Sequence, residues 1–403
     1  MAQTTLFLLA FLAALATADV VLTDRLFCPQ LDDASLECHS FGGYIDMGNS
    51  TLMVTSAVLR DVGTGEDTGD LLVIFTKSAN ATGSPPAWRV HHSIAFQRAV
   101  VGSLMTYGFN KADATELVYC VSDKSLRPTR LPVCVVMKLD ASGEWQNTTT
   151  VSPSQAVPSF GSLVVLSGSR LAIISRLGLH TYVRSGSDFV PSGSFLSASP
   201  SKFGFNMDLC EEGDDLAYSS IDDGMMYILK FTGKTWKVVA SFSNPDGNPD
   251  HRFGTSLGVT HGLVAVGSVR GVANYTGAVY LYSRVKGKWT MLGSITGDTD
   301  DVEMNYGYPL FIRNGILLVG TMSFTKPGAA FIHKIGETEW PLMQTLHMPQ
   351  DLATTPPDGF GRHLAAAEGI SFVVSACQWD TEKGVVLVFE QQAGTDPLLS
   401  AAW

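Results

Sequence analysis

Short apolar runs broken by glycine-containing turns recur along this chain. The stretch from Phe253 shows the pattern best. Thr255 to Val259 predicts a strand, His261-Gly262 a tight turn and Leu263 to Gly267 a second strand. A longer loop leads to a third strand, Gly277 to Tyr282, and a fourth opens with Trp289. The stretch from Phe360 repeats this order, with Glu368-Gly369 at the first turn and Val385 to Phe389 as the third strand. Alternation mixed with short continuous apolar runs is what strands covered on both faces require.

An aromatic-glycine pair opens each repeat, at Phe41, Tyr107, Phe160, Phe203, Phe253, Tyr306 and Phe360. Repeated four-stranded units of about 50 residues predict an all-β fold, a seven-bladed β-propeller over 19–403. The seventh unit stops after three strands near Gln391, and Val20 to Phe27 precedes the first aromatic-glycine pair. That N-terminal strand is expected to complete the last blade, which removes two open sheet edges. Trp88, Trp145, Trp236, Trp289 and Trp340 recur where strand four begins, with Phe189 in that place in the third unit. One large ring per repeat at one register is a packing feature between blades before it is a binding ladder.

Composition narrows the setting. Charged residues are 16% of the 403, glycines number 39 and the formal net charge is −11. An acidic chain carries no electrostatic footprint for nucleic acid or anionic lipid. Leu6 to Leu15 followed by Ala16-Thr17-Ala18 reads as a signal peptide over 1–18, and no later apolar run is long enough for a membrane span. A secreted protein is expected. Sequons at Asn49, Asn80, Asn147 and Asn274 suit that compartment. Oxidising conditions let cysteines pair. Cys28 and Cys38 bracket a short loop, and Cys120 and Cys134 face each other across one predicted hairpin, so these two disulfides are expected. Cys210 and Cys377 have no obvious partner.

The run from Phe253-Gly254 through Val266-Gly267-Ser268, and that from Phe360-Gly361 through Ser375-Ala376, resemble FG-GAP repeats, the units of the integrin α-subunit propeller. Gly277 to Tyr282 with the later Trp289 resembles the Trp-containing subtype. Kelch repeats compete less well, because their Gly-Gly pair occurs only at Gly42-Gly43. The resemblance implies a ligand-meeting face formed by the loops between strands two and three and those joining blades. Many such repeats also hold calcium on alternating acidic residues ending in glycine. No intact loop of that kind stands here. The nearest strings are Glu211 to Asp215 and Asp246 to Asp250, the second with oxygen ligands at alternate positions. No cofactor is expected, and calcium is the unfavoured reading.

Catalytic motifs carry no specific signal: the Gly-x-Ser-x-Gly match at Gly254 to Gly258 lies in a predicted strand and not at a strand-to-helix elbow, and no His-Glu-x-x-His or phosphate loop occurs. His91 and His92, adjacent in a strand, point to opposite faces. Asp222-Asp223 and Asp300-Asp301 sit in turn-like contexts. Recognition is better motivated. The two–three loops are expected at Arg60 to Asp70, Asp123 to Arg130, Val269 to Thr276, Ser323 to Pro327 and Gln378 to Lys383. They carry Arg127, Arg130, Arg270, Phe324, Lys326, Trp379 and Asp380, residue types that anchor interfaces. The expectation is a non-catalytic binding propeller for an extracellular protein or glycan. A polysaccharide-acting propeller enzyme and a structural matrix component are the alternatives.

Overall fold

Strands dominate because the apolar runs are too short for helices and each ends in a residue suited to a turn. The computed structural model describes residues 20–78, 86–97, 103–122, 132–155, 157–197, 204–271, 276–297, 305–313, 315–321, 328–336, 339–352, 359–367, 371–377 and 383–391. One 3-10 turn, Pro249–His251, is the only helical element among them. The fifth unit forms a meander of Phe253–Thr260, Leu263–Ser268, Ala278–Val285 and Lys288–Thr296, each antiparallel to the last. The fourth and sixth units form four-stranded sheets in the same order, and the first unit adds a short strand, Leu36–His39, to its own. The second and third units are two such meanders joined into one eight-stranded sheet by a parallel bridge between Leu166 and Asn110.

The seventh unit contributes Phe360–Ala367, Ser371–Ala376 and Val385–Gln391, and Val20–Leu26 pairs antiparallel with the last of these. Gln344 of the sixth unit secures the start of that strand. Its side chain accepts the Val20 N–H at 2.9 Å and donates to the Val20 carbonyl at 2.8 Å. Just beyond the strand, the Cys28–Cys38 disulfide ties the chain to the first unit. The Cys120–Cys134 disulfide, wholly buried, joins strands two and three of the second unit. Both expected pairs are thus present. Cys210 and Cys377 are buried and not disulfide-bonded, and the Cys210 sulfur accepts the Asp215 N–H at 3.2 Å.

The core lies between sheets. Among the described residues, six of the seven hydrophobic clusters span two units consecutive in sequence, and the seventh joins the last unit to the first through Leu26, Val386 and Val388 against Phe41, Met53 and Phe75. Trp88, Trp145, Phe189 and Trp236 are buried in these clusters, and Trp289 and Trp340 pack at their margins. The strand-four aromatics therefore pack between sheets, as their single register implied. The indole N–H groups of Trp88, Trp145, Trp236 and Trp340 are buried without an acceptor among the described residues, so these side chains contribute through burial and ring contacts.

Glycine before strand three explains a second part of the repeat. A side chain at Gly277, Gly328 or Gly384 would collide with the carbonyl of the next unit's aromatic, Tyr306, Phe360 or Phe41, at 2.1, 1.7 and 2.2 Å. Close approach of two backbones leaves no room for a Cβ.

Charged ties follow the same spacing. Glu116, in strand two (Asp113–Ser122) of the second unit, receives Arg184 of the third at 2.6 Å. Asp215 opens strand two of the fourth unit and faces Arg284 of the fifth at 3.4 Å, with Lys230 at 3.3 Å. Arg184 also lies 4.5 Å over the Phe189 ring.

The second repeat begins four residues earlier than its aromatic suggested. Phe253, Tyr306 and Phe360 lie opposite Ser268, Thr321 and Ala376 on strand two, and the corresponding residue opposite Ser122 is Ser103. Tyr107 and Gly108 instead lie mid-strand in Ser103–Asn110, with Gly108 opposite Val118. Tyr107 still fills the core, which is why the pair reads as a repeat start. The first two–three connection is also shorter than expected, since strands Leu52–Asp61 and Asp67–Ser78 extend into Arg60 to Asp70.

Candidate functional site

The first strand of every unit lines one common cavity of about 190 Å³. Alternation along those strands sends every second side chain into it. Counting from the aromatic position, or from Ser103 in the second unit, the third residues include Tyr44, Leu163, Asn206, Ser256 and His363. The fifth include Asp46, Gly108, Val165, Asp208 and Phe311. The cavity is an axial channel with two rings of residues.

The deeper ring is consumed by structure. Asp46 accepts the Phe109 N–H of the next unit at 2.8 Å, and Asp208 accepts the Val259 N–H of the next unit at 2.8 Å. The two carboxylates sit at one register and do one job, satisfying an N–H that faces the channel. Burial pushes the Asp46 carboxyl up to about 6, against the pull of the Phe109 N–H and of Lys111.

Beyond this ring, side chains cross the axis. Lys111 of the second unit donates to Asp208 at 2.6 Å and to the Leu209 carbonyl at 2.8 Å in the fourth. Arg313 of the sixth unit donates to the Lys111 carbonyl at 3.1 Å and lies 3.8 Å from Glu211 of the fourth. These ties stand at the end where strand one turns into strand two. They join three units that are not neighbours in sequence.

The other end is the loop face. Ser268 and Arg270, at the start of a two–three loop, donate to the carbonyl of His251 in the loop joining the fourth and fifth units, at 2.8 and 3.2 Å. The Phe41 N–H donates to the Lys383 carbonyl in the same way, at 3.0 Å. The two kinds of loop therefore meet at this end, near Tyr44, Tyr308 and His363 of the channel wall. The His363 ring lies edge-on to Tyr44, 5.7 Å between centroids. Burial and the adjacent Arg362 lower the His363 imidazole to about 3, so it is neutral, and burial raises the hydroxyls of Tyr44 and Tyr308 so that they keep their protons.

Of the binding residues expected from sequence, Arg270 is exposed on this face. Arg127, Arg130, Phe324, Lys326, Trp379 and Asp380 lie outside the described residues, as do Asn80 and Asn274. Asn147 is exposed on strand four, and the Asn49 carbonyl caps its own turn by accepting the Thr51 N–H at 2.8 Å. In the Asp246 to Asp250 string, Asp246 Oδ2 accepts the Tyr280 hydroxyl at 2.6 Å and faces His251 Nδ1 at 3.1 Å. No cluster of three or more His, Cys, Asp or Glu suited to a metal ion occurs among the described residues. His91 meets the Gly143 carbonyl at 2.8 Å, and Asp223 accepts Ser220 at 2.5 Å, so both belong to ordinary surface structure.

Sequence reading missed the channel residues. Aligning the repeats on their starts puts Asp46 and Asp208 in one column, a polar signal inside an otherwise apolar strand. That column also needed the true start of the second unit.

No protein-family model matches the chain, and no curated protein matches it. Solved structures do. The Cps50 (Swd1) β-propeller domain of Myceliophteria thermophila aligns with 93% of this chain and 100% of its own at 8% identity and a TM-score of 0.53. The WD40 domain of Toxoplasma gondii coronin aligns with 94% of this chain and 90% of its own at 12% identity and 0.51. A protein from Bacteroides uniformis described as a candidate 6-phosphogluconolactonase aligns with 86% of this chain and 93% of its own at 11% identity and 0.54. At such identities the likeness is one of fold. The chain is an all-β protein of the β-propeller class. No helix among its described residues is long and apolar enough to cross a membrane.

Proposed function

We propose that this is a secreted, non-catalytic, seven-bladed propeller of the FG-GAP kind that recognises an extracellular protein or glycan through its loop face. Seven units with a core cluster between each consecutive pair, and one between last and first, support a ring closed by Val20–Leu26. The signal-peptide pattern of 1–18, the sequons and the two disulfides support an extracellular setting.

The observation that carries the recognition reading is the asymmetry of the channel. Its deeper carboxylates and cations are bonded to one another and to backbone, so their hydrogen bonds serve the frame. The opposite end carries the starts of two–three connections that differ in sequence, and neutral side chains line the cavity there. A rigid frame presenting variable loops is suited to binding.

The test is a binding screen of the secreted protein against extracellular-protein and glycan libraries, with and without chelator. A saturable hit weakened at least about tenfold by Arg270→Ala, roughly the loss for an interface anchor, is expected. Loss of the hit on chelation would restore calcium to the reading. Degradation of polysaccharide with no saturable partner would replace the binding module by an enzyme.

A further inference from the structure

Three neutral groups at the loop-face end of the channel have no assigned work. The Tyr308 hydroxyl, the Tyr44 hydroxyl and the His363 imidazole line the cavity, and none has a hydrogen-bond partner among the described residues. The Asn206 side-chain amide donates to the Thr255 carbonyl at 2.8 Å, and its side-chain oxygen is without a partner among the described residues. In a solvated cavity these groups bond to water, and a ligand that reproduces those bonds can displace it.

We propose that this end of the axial channel is a binding site for one neutral sugar ring, free or as the terminal residue of a glycan. Size comes first. About 190 Å³ is the space of roughly six waters, which suits a single pyranose and excludes a disaccharide lying wholly inside. The second ground is the chemistry of the wall. Tyrosine hydroxyls and a neutral imidazole each donate and accept, as sugar hydroxyls do, while an amide carbonyl accepts. The third ground is shape. The Tyr44 ring is fixed edge-on between Tyr107, at 5.2 Å, and His363, so it gives a stiff apolar wall beside the polar groups. Pockets for small polar ligands combine such walls with a few placed polar atoms. The floor argues for neutrality. Lys111 is paired with Asp208 and Arg313 with Glu211, so an ion entering the channel would lose its water without gaining a counter-charge at the floor.

This site is separate from the loop contacts proposed above and stands whether or not that partner is found. The experiment uses the intact secreted protein. Methyl glycosides of glucose, galactose, mannose and N-acetylglucosamine are titrated by calorimetry and by saturation-transfer NMR, beside glucuronate as the charged probe. One neutral glycoside is expected to saturate at one site per chain. Tyr308→Phe removes only a hydroxyl and should weaken it at least about tenfold, as losing one hydrogen-bonded group does. His363→Gln, checked for unchanged thermal midpoint, should weaken it similarly. Equal affinity for the methyl glycoside and for a longer glycan with the same end residue identifies the free sugar as sufficient. Tighter binding of the glycan identifies the terminus of a chain that also touches the loops. Failure of every neutral glycoside to saturate, stronger binding of glucuronate, or binding unmoved by both variants would overturn the proposal.

Discussion

Asp46 shows how one half-buried side chain can hold two units together at a cost. Its carboxylate reaches across to the Phe109 N–H, yet burial raises its proton affinity to about 6 from an ordinary 3.8. The folded value lies above the unfolded one. The ionised group therefore penalises the fold fully above about pH 6, and the penalty is relieved as pH falls toward 4. A rise of that size is worth about 2 kcal/mol after allowance for channel water. Wild type should accordingly gain about that much stability relative to Asp46→Asn on going from pH 7 to pH 4. Urea midpoints of both proteins at the two pH values measure it. A difference independent of pH would mean that the carboxyl titrates normally.

At the scale of elements, most of the fold was legible and the channel was not. Aromatic-glycine pairs announce themselves because each ring must fill the same gap between sheets and each glycine the same turn. Gly42, Gly161, Gly204, Gly254, Gly307 and Gly361 all have φ between 81° and 102°, a backbone region that other residues avoid. The second unit hid its start because Ser103 stands where the aromatic belongs, and Tyr107 fills the core from within the strand. Channel residues were hidden for another reason. A polar side chain in a strand reads as solvent-facing, and only the gathering of first strands around one cavity makes it point inward. The strand Val20–Leu26 was readable from counting alone, since the seventh unit lacks a fourth strand. It covers the edge of Val385–Gln391 and places Val20 and Leu26 in two different core clusters. A chain lacking Val20–Leu26 should lose at least about 10 °C in thermal midpoint, or fail to accumulate as monomer, because a bare apolar edge invites pairing with another chain. Secretion yield, light scattering and calorimetry follow this, and an unchanged midpoint would show the strand to be dispensable.

The whole molecule, as proposed, is a ring that is stiff on the inside and at one end, with its variety at the other. Cores between sheets, buried acid–arginine ties and the crossing of Lys111 and Arg313 restrain the relative positions of the units. All of this depends on the ring being closed, and amide hydrogen exchange of the intact protein tests closure directly. If Val20–Leu26 is a true fourth strand, its paired amides should exchange as slowly as those of Trp236–Ser243 and Lys288–Thr296, fourth strands continuous with their own units. Exchange of Val20–Leu26 near the unprotected rate, with those two strands still protected, would contradict a closed ring.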